Sequence, residues 1–176
     1  MFDLPLHPIA VHFPIVIGMT LPFIAILLWW AIRKGHVPQK AWIVITALAL
    51  VYGASALVAS ELGEEDEDRV EKVVSEKVIE EHEEAAELIP WVAGVLVLLS
   101  FGGLMSGAGP KVQIAFVAVS LIAIAPLVNA GHTGGELVYH YGAANAHVLP
   151  ETKALIQSGG FYTAHAKDEH DEEDHD

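Results

Sequence analysis

Four stretches of this chain, residues 8–32, 41–59, 88–105 and 112–128, are apolar and nearly uncharged. Crossing a hydrocarbon core of roughly 30 Å takes about 20 helical residues, and each stretch is close to that length. Each is continuous, without the period-2 alternation of a membrane barrel strand. The fold class this predicts is all-α, an integral membrane four-helix bundle over residues 1–147. Pro14, Pro22, Pro90 and Pro126 lie inside or at the ends of these spans and are expected to kink them, which a bundle tolerates when neighbours satisfy the freed carbonyls. The first span begins almost at Met1, with no basic n-region or small-residue cleavage site, which favours a retained helix over a removed signal peptide.

Charge is segregated from these spans. The chain is 53% hydrophobic yet carries a formal net charge of −14. Residues 61–87 hold thirteen acids against three bases, and residues 165–176 hold seven acids against Lys167. This pattern excludes an ordinary soluble enzyme and a nucleic-acid binder with a basic surface. The absence of cysteine excludes thiolate-ligated and disulfide-framed proteins. Arg33, Lys34 and Lys40 fall between spans one and two, and Lys111 between three and four, with no acid in either link. By the positive-inside tendency both links are expected in the cytoplasm, with both termini and both acidic blocks on the opposite face. Val70, Val73, Val74, Val78, Ile79, Ala85, Ala86 and Ile89 recur at helical spacing. The spacing predicts an extended amphipathic helix over about 64–88 that leads into the third span. Residues 148–176 are expected to be extramembrane, ending in a disordered acidic, histidine-rich tail from residue 165.

The chain has ten histidines. His165, His170 and His175 belong to the tail, and His36 to the first basic link. The other six, His7, His12, His82, His132, His140 and His147, map to the acidic end of the bundle although they are far apart in sequence. Histidine at membrane depth is costly unless it faces the bundle interior, where it binds or relays something. His12 lies about one turn inside the first span, and His82 interrupts the glutamates on the apolar stripe. His132 is followed by Gly134 and Gly135, which leave room for a flat ligand. Depth suggests a lower layer of His12 with His132 and an upper layer of His82 with His140. A bend brings His82 to the lower layer instead, and spacing does not decide between the two.

Paired imidazoles from different helices of a membrane bundle are the ligation of a low-spin b-type haem, with glycines admitting the ring and aromatics lining it. Phe13, Trp91, Tyr139 and Tyr141 are expected to help line such a site. The alternative is a zinc or copper centre, in which His12, His132, His82 and His7 serve as metal ligands. A bland reading assigns the same histidines to polar contacts at helix ends in a non-catalytic membrane subunit. The sequence contains no nucleophile–base constellation and no phosphate loop.

The motifs Leu6-His7-Pro8-x-x-Val11-His12-Phe13-Pro14-Ile15 and His132-x-Gly134-Gly135-x-Leu137-Val138-Tyr139-x-x-Gly142 are similar to those of a family of bacterial four-helix membrane proteins, some of them cytochrome-like. The resemblance spans about residues 4–145. It marks His7, His12, His82, His132, Gly134, Gly135 and Tyr139. Many relatives have histidine at the position of Tyr141 and another residue at that of His140, and some lack the histidine at His132. Some occur beside cytochrome c or Rieske-type domains, which implies a respiratory role in the bacterial inner membrane. The expected function is electron transfer by haem b near the outer, periplasmic face. The expected partners are the lipid bilayer, quinone, and a basic periplasmic electron carrier or a respiratory-complex subunit, with no nucleic acid. His12 and His132 are the first-choice axial ligands, His82 the next and His140 the last.

Overall fold

The computed structural model describes residues 5–105, 107 and 109–158, and over these the chain is helical without a strand. Helices α1 (His7–Ala10) and α2 (His12–Arg33) make the first rod. A 3-10 turn (Gln39–Trp42) opens α3 (Ile43–Val70), and α4 (Glu76–Gly102) returns alongside it. Helices α5 (Gly109–Ile122) and α6 (Ile124–Tyr139) make the fourth rod, followed by a 3-10 turn (Ala143–His147) and α7 (Pro150–Gln157). The four rods, 27 to 32 residues long, are each long and apolar enough to cross a membrane. Each packs on two neighbours around the bundle, so that α3 stands diagonally across from the α5–α6 rod.

The prolines divide into two kinds. Pro14 and Pro126 lack the N–H that would bond the carbonyls of Ala10 and Ile122, and the helix is interrupted nearby, at Val11 and Ala123. Pro22 and Pro90 lie inside α2 and α4, which run through them unbroken.

Packing between the rods relies on small residues and a few large ones. Ala25, Ala49 and Ala93 are fully buried and let the backbones approach, as membrane helix interfaces require. Leu21, Trp42, Ile45, Tyr52, Leu96 and Phe116 fill the remaining space. Trp42 and Phe116 meet edge to face with ring centroids 5.6 Å apart. Outward-facing Phe23, Leu27, Leu57, Trp91, Leu98 and Ile122 are left for lipid. In such an environment tight packing and internal hydrogen bonds replace the hydrophobic effect as the cohesive terms.

One sequence expectation needs correction. The acidic segment is not one helix over 64–88. The second span continues without a break to Val70, the chain turns over residues 71–75, and a new helix starts at Glu76. The valines on either side of the turn meet: Val74 and Ile79 are buried with Leu137 and Ala143, and Val70 and Val78 pack against them. Both arms present their apolar residues to this one small core, so a hairpin produced the spacing of a single helix. The helix of the fourth span continues past residue 128: its rod runs from Gly109 to Tyr139 and carries His132, Gly134 and Gly135 within helix. The apolar part of α4 begins at Leu88, leaving residues 76–87 outside the membrane-crossing segment. The acidic tail from residue 165 lies outside the described residues.

Candidate functional site

The site is built where the acidic hairpin meets α1 and α6. Imidazole His7 is carried by α1, and its Nδ1 is 2.8 Å from the carbonyl of Ala59 on α3. A carbonyl only accepts, so Nδ1 carries the proton and Nε2 keeps its lone pair. His82 on α4 has Nδ1 2.9 Å from the Thr133 hydroxyl oxygen on α6. That hydroxyl oxygen is also near the carbonyls of Asn129 and Ala130, each at 3.2 Å. The hydroxyl can donate to the His82 nitrogen or accept from it, so the bond anchors the His82 ring, while Nε2 makes no hydrogen bond among the described residues. This arrangement, one ring nitrogen anchored and the other presented, is the one that orients histidine ligands.

The two rings are neighbours, edge to face. Their centroids lie 6.3 Å apart and their planes are nearly perpendicular, at 81°. Each ring rests on a glycine of a neighbouring helix. A Cβ at Gly63 would stand 3.1 Å from Nδ1 of His7, and one at Gly134 would stand 3.1 Å from Cε1 of His82. Both contacts are tighter than most side chains make, so a Cβ at either position would push its imidazole by a few tenths of an ångström. Burial, and secondarily the charge His7 would carry, hold His82 below the ordinary imidazole range, which keeps it neutral.

A second link closes the same end. His147, in the 3-10 turn after α6, places Nε2 3.1 Å from Oδ2 of Asp66 on α3, with only 10% and 17% of the two side chains exposed. Beside it, Glu83 is held above the usual carboxylate range, first by burial and then by Glu67, Glu64 and Glu80.

The other sequence candidates sit elsewhere. His12 is exposed, and its Nδ1 bonds the Pro8 carbonyl of its own helical turn at 2.7 Å. His132 is 70% exposed, 3.5 Å from Glu136 one turn along α6. No ring contact or hydrogen bond among the described residues joins His12 to His132, or His82 to His140. Instead, His132 and His140 border a shallow open groove of about 380 Å³ on the outward side of α6, with Gly131, Gly135, Glu136 and Tyr139. A Cβ at Gly135 would meet nothing within 4 Å, so Gly135 does not seat an imidazole as Gly134 does. Phe13, Trp91, Tyr139 and Tyr141 all point outward instead of lining the site, with Tyr139 91% exposed. Such aromatics suit the belt where membrane meets water. His36 packs against Trp30 at the opposite end.

The sequence reading missed Ala59, Gly63 and Thr133. Backbone carbonyls such as that of Ala59 leave no sequence signal. Gly63 left one, because a lone glycine in a helical acidic run costs about 1 kcal/mol against alanine and needs a reason.

Four apolar rods, buried small residues between them and lipid-facing apolar surface define a helical membrane protein. Over residues 3–147 the chain matches the family described as predicted membrane protein (DUF2231), and it belongs to that family. No curated protein and no solved structure matches it.

Proposed function

We propose that the chain binds b-type haem at its acidic end, with His7 and His82 as the axial pair, and passes electrons across that face. The observation that carries this is the His7–His82 pair itself. Two imidazoles sharing one metal ion at about 2 Å each have ring centroids roughly 6 Å apart, and these rings are 6.3 Å apart. Each has its Nδ1 anchored and a glycine packed against the ring. His12 and His132 give way as the first-choice pair, because each has its polar contact within its own helix.

Zinc or copper is the alternative occupant. Such a site takes three or four protein ligands, and among the described residues no three His, Asp or Glu side chains converge to hold a metal ion. A pair suffices for haem, because the porphyrin supplies the other four donors. Bound there, the iron would accept and release one electron at a time. Thr133 and the Ala59 carbonyl would hold the ligand rings in place. Quinone within the bilayer and a basic redox protein docking on the acidic face are the partner classes this reading implies. It orients the chain in the bacterial inner membrane with the acidic end outward, following the basic links.

The test is an optical spectrum of the purified protein, air-oxidised and dithionite-reduced, after expression with added haem precursor. A sharp reduced α band and a Soret peak are expected, lost in His7→Ala and His82→Ala but retained in His12→Ala and His132→Ala. Haem loss confined to the last two variants would restore the other pairing. No Soret band in the wild-type protein would sink the haem reading, and elemental analysis for zinc and copper would then decide for the alternative.

A further inference from the structure

The opposite end of the bundle carries a second built feature. The carbonyl of Gly103, at the end of α4, accepts two side-chain amides: Nε2 of Gln39 at 2.7 Å and Nε2 of Gln113 at 3.0 Å. The Trp42 indole lies so close to Gly103 that no Cβ fits there. Trp42 and Gln113 are fully buried. These contacts lock the α2–α3 connection and the start of α5 onto the end of α4. Beside the lock lies a groove of about 530 Å³ lined by Pro38, Lys40, Ala41, Ile43 and Leu104. The groove's lining is almost wholly apolar, and Lys40, an exposed residue, is its one charged member.

The groove sits where α3 begins and α4 ends, at the end of the bundle that carries the basic links. Arg33, Lys34, Lys40 and Lys111 surround this end, and there is no acid anywhere in residues 4–60 or 88–135. An anion is thus attracted without a competing carboxylate, and basic pockets between membrane helices on the positive side recognise anionic headgroups. A free anion would leave Pro38, Ala41, Ile43 and Leu104 uncovered, whereas an acyl chain covers them. We propose that this groove binds an anionic phospholipid, its phosphate on Lys40 and its acyl chain along Ile43 and Leu104. The site is independent of the histidine pair.

The experiment uses the full chain in neutral detergent, stripped of lipid. Phosphatidylglycerol, phosphatidylcholine with the same acyl chains, and inorganic phosphate are added separately, and retention by native mass spectrometry and the thermal midpoint are recorded. Phosphatidylglycerol is expected to be retained and to raise the midpoint; phosphatidylcholine and phosphate are not. Lys40→Gln should weaken phosphatidylglycerol retention about fivefold, the effect of one ammonium near an anionic headgroup, while Lys153→Gln on α7 should not. Equal retention of both lipids, an equal shift by phosphate alone, or wild-type retention in Lys40→Gln would each overturn the proposal.

Discussion

At the acidic end, His7, His82 and His147 each find their polar partner on a different element: a carbonyl of α3, a hydroxyl of α6 and a carboxylate of α3. At the basic end, two glutamines converge on one carbonyl, and the buried polar side chains Thr46, Ser100, Gln113 and Ser120 are all neutral. The same four rods thus carry two kinds of polar contact. Neutral amides and hydroxyls spend their donors on backbone and lock geometry. The paired imidazoles spend one nitrogen on geometry and leave the other without a hydrogen bond among the described residues. The contrast is between ionisable rings anchored across elements at one end and neutral groups bonded to backbone at the other.

The sharpest way to break this contrast is at Gly134. Gly134→Leu should displace the His82 ring, abolish any haem band and cost about 1–3 kcal/mol of stability by overpacking. Gly135→Leu, facing open space, should do neither; equal effects in optical titration and thermal melting would deny that Gly134 seats the ring. Next in size is the amide lock. Gln39→Leu or Gln113→Leu alone leaves the Gly103 carbonyl with one donor, whereas the double variant orphans it. The double should cost about 1–3 kcal/mol more than the two singles together, with the haem spectrum unchanged. A spectral change there would mean that the two ends are coupled. Asp66→Asn should loosen the turn at residues 143–147, seen as faster amide exchange confined to that turn and the hairpin, at a cost of about 1–2 kcal/mol. The smallest effect is expected at Glu83. Its raised pKa means that its contribution to stability is greatest when it is protonated, and is lost as pH rises through the carboxylate range. Glu83→Gln should therefore raise the melting temperature slightly at pH 7 and leave it unchanged near pH 4. A larger gain at low pH would reverse the sign of that argument.

The four spans were legible because hydropathy over some 20 residues is a signal no local accident imitates. Their extents were less so. The sequence reading ended the second and fourth spans where the apolar run ended, near residues 59 and 128, but a helix propagates beyond the membrane wherever glutamates and alanines favour it. That is why α3 reaches Val70; residues 129–139 of α6 hold three glycines and a single glutamate, so packing against α4 and not propensity carries that helix to Tyr139. The hairpin at residues 71–75 contains neither glycine nor proline, so nothing punctuated it. Of the candidate site, the gathering of histidines at one end was readable from depth alone, as was the singular position of His82. Which imidazole meets which was not. His7 looked like a flanking residue, yet its partner is a carbonyl, and the ring it faces arrives from a hairpin whose turn was not visible.

The uninterrupted passage of α4 from the membrane into the hairpin has a mechanical consequence. His82 is two turns above Leu88 on the same rigid helix, and its anchor Thr133 rides on another rod that also crosses the bilayer. A slide of one rod past the other by a single residue's rise, about 1.5 Å, is enough to part that hydrogen bond. Bilayers that differ in thickness change helix tilt by comparable displacements. A slide of one rod against the other would therefore be felt at the imidazole pair first as a longer His82–Thr133 contact.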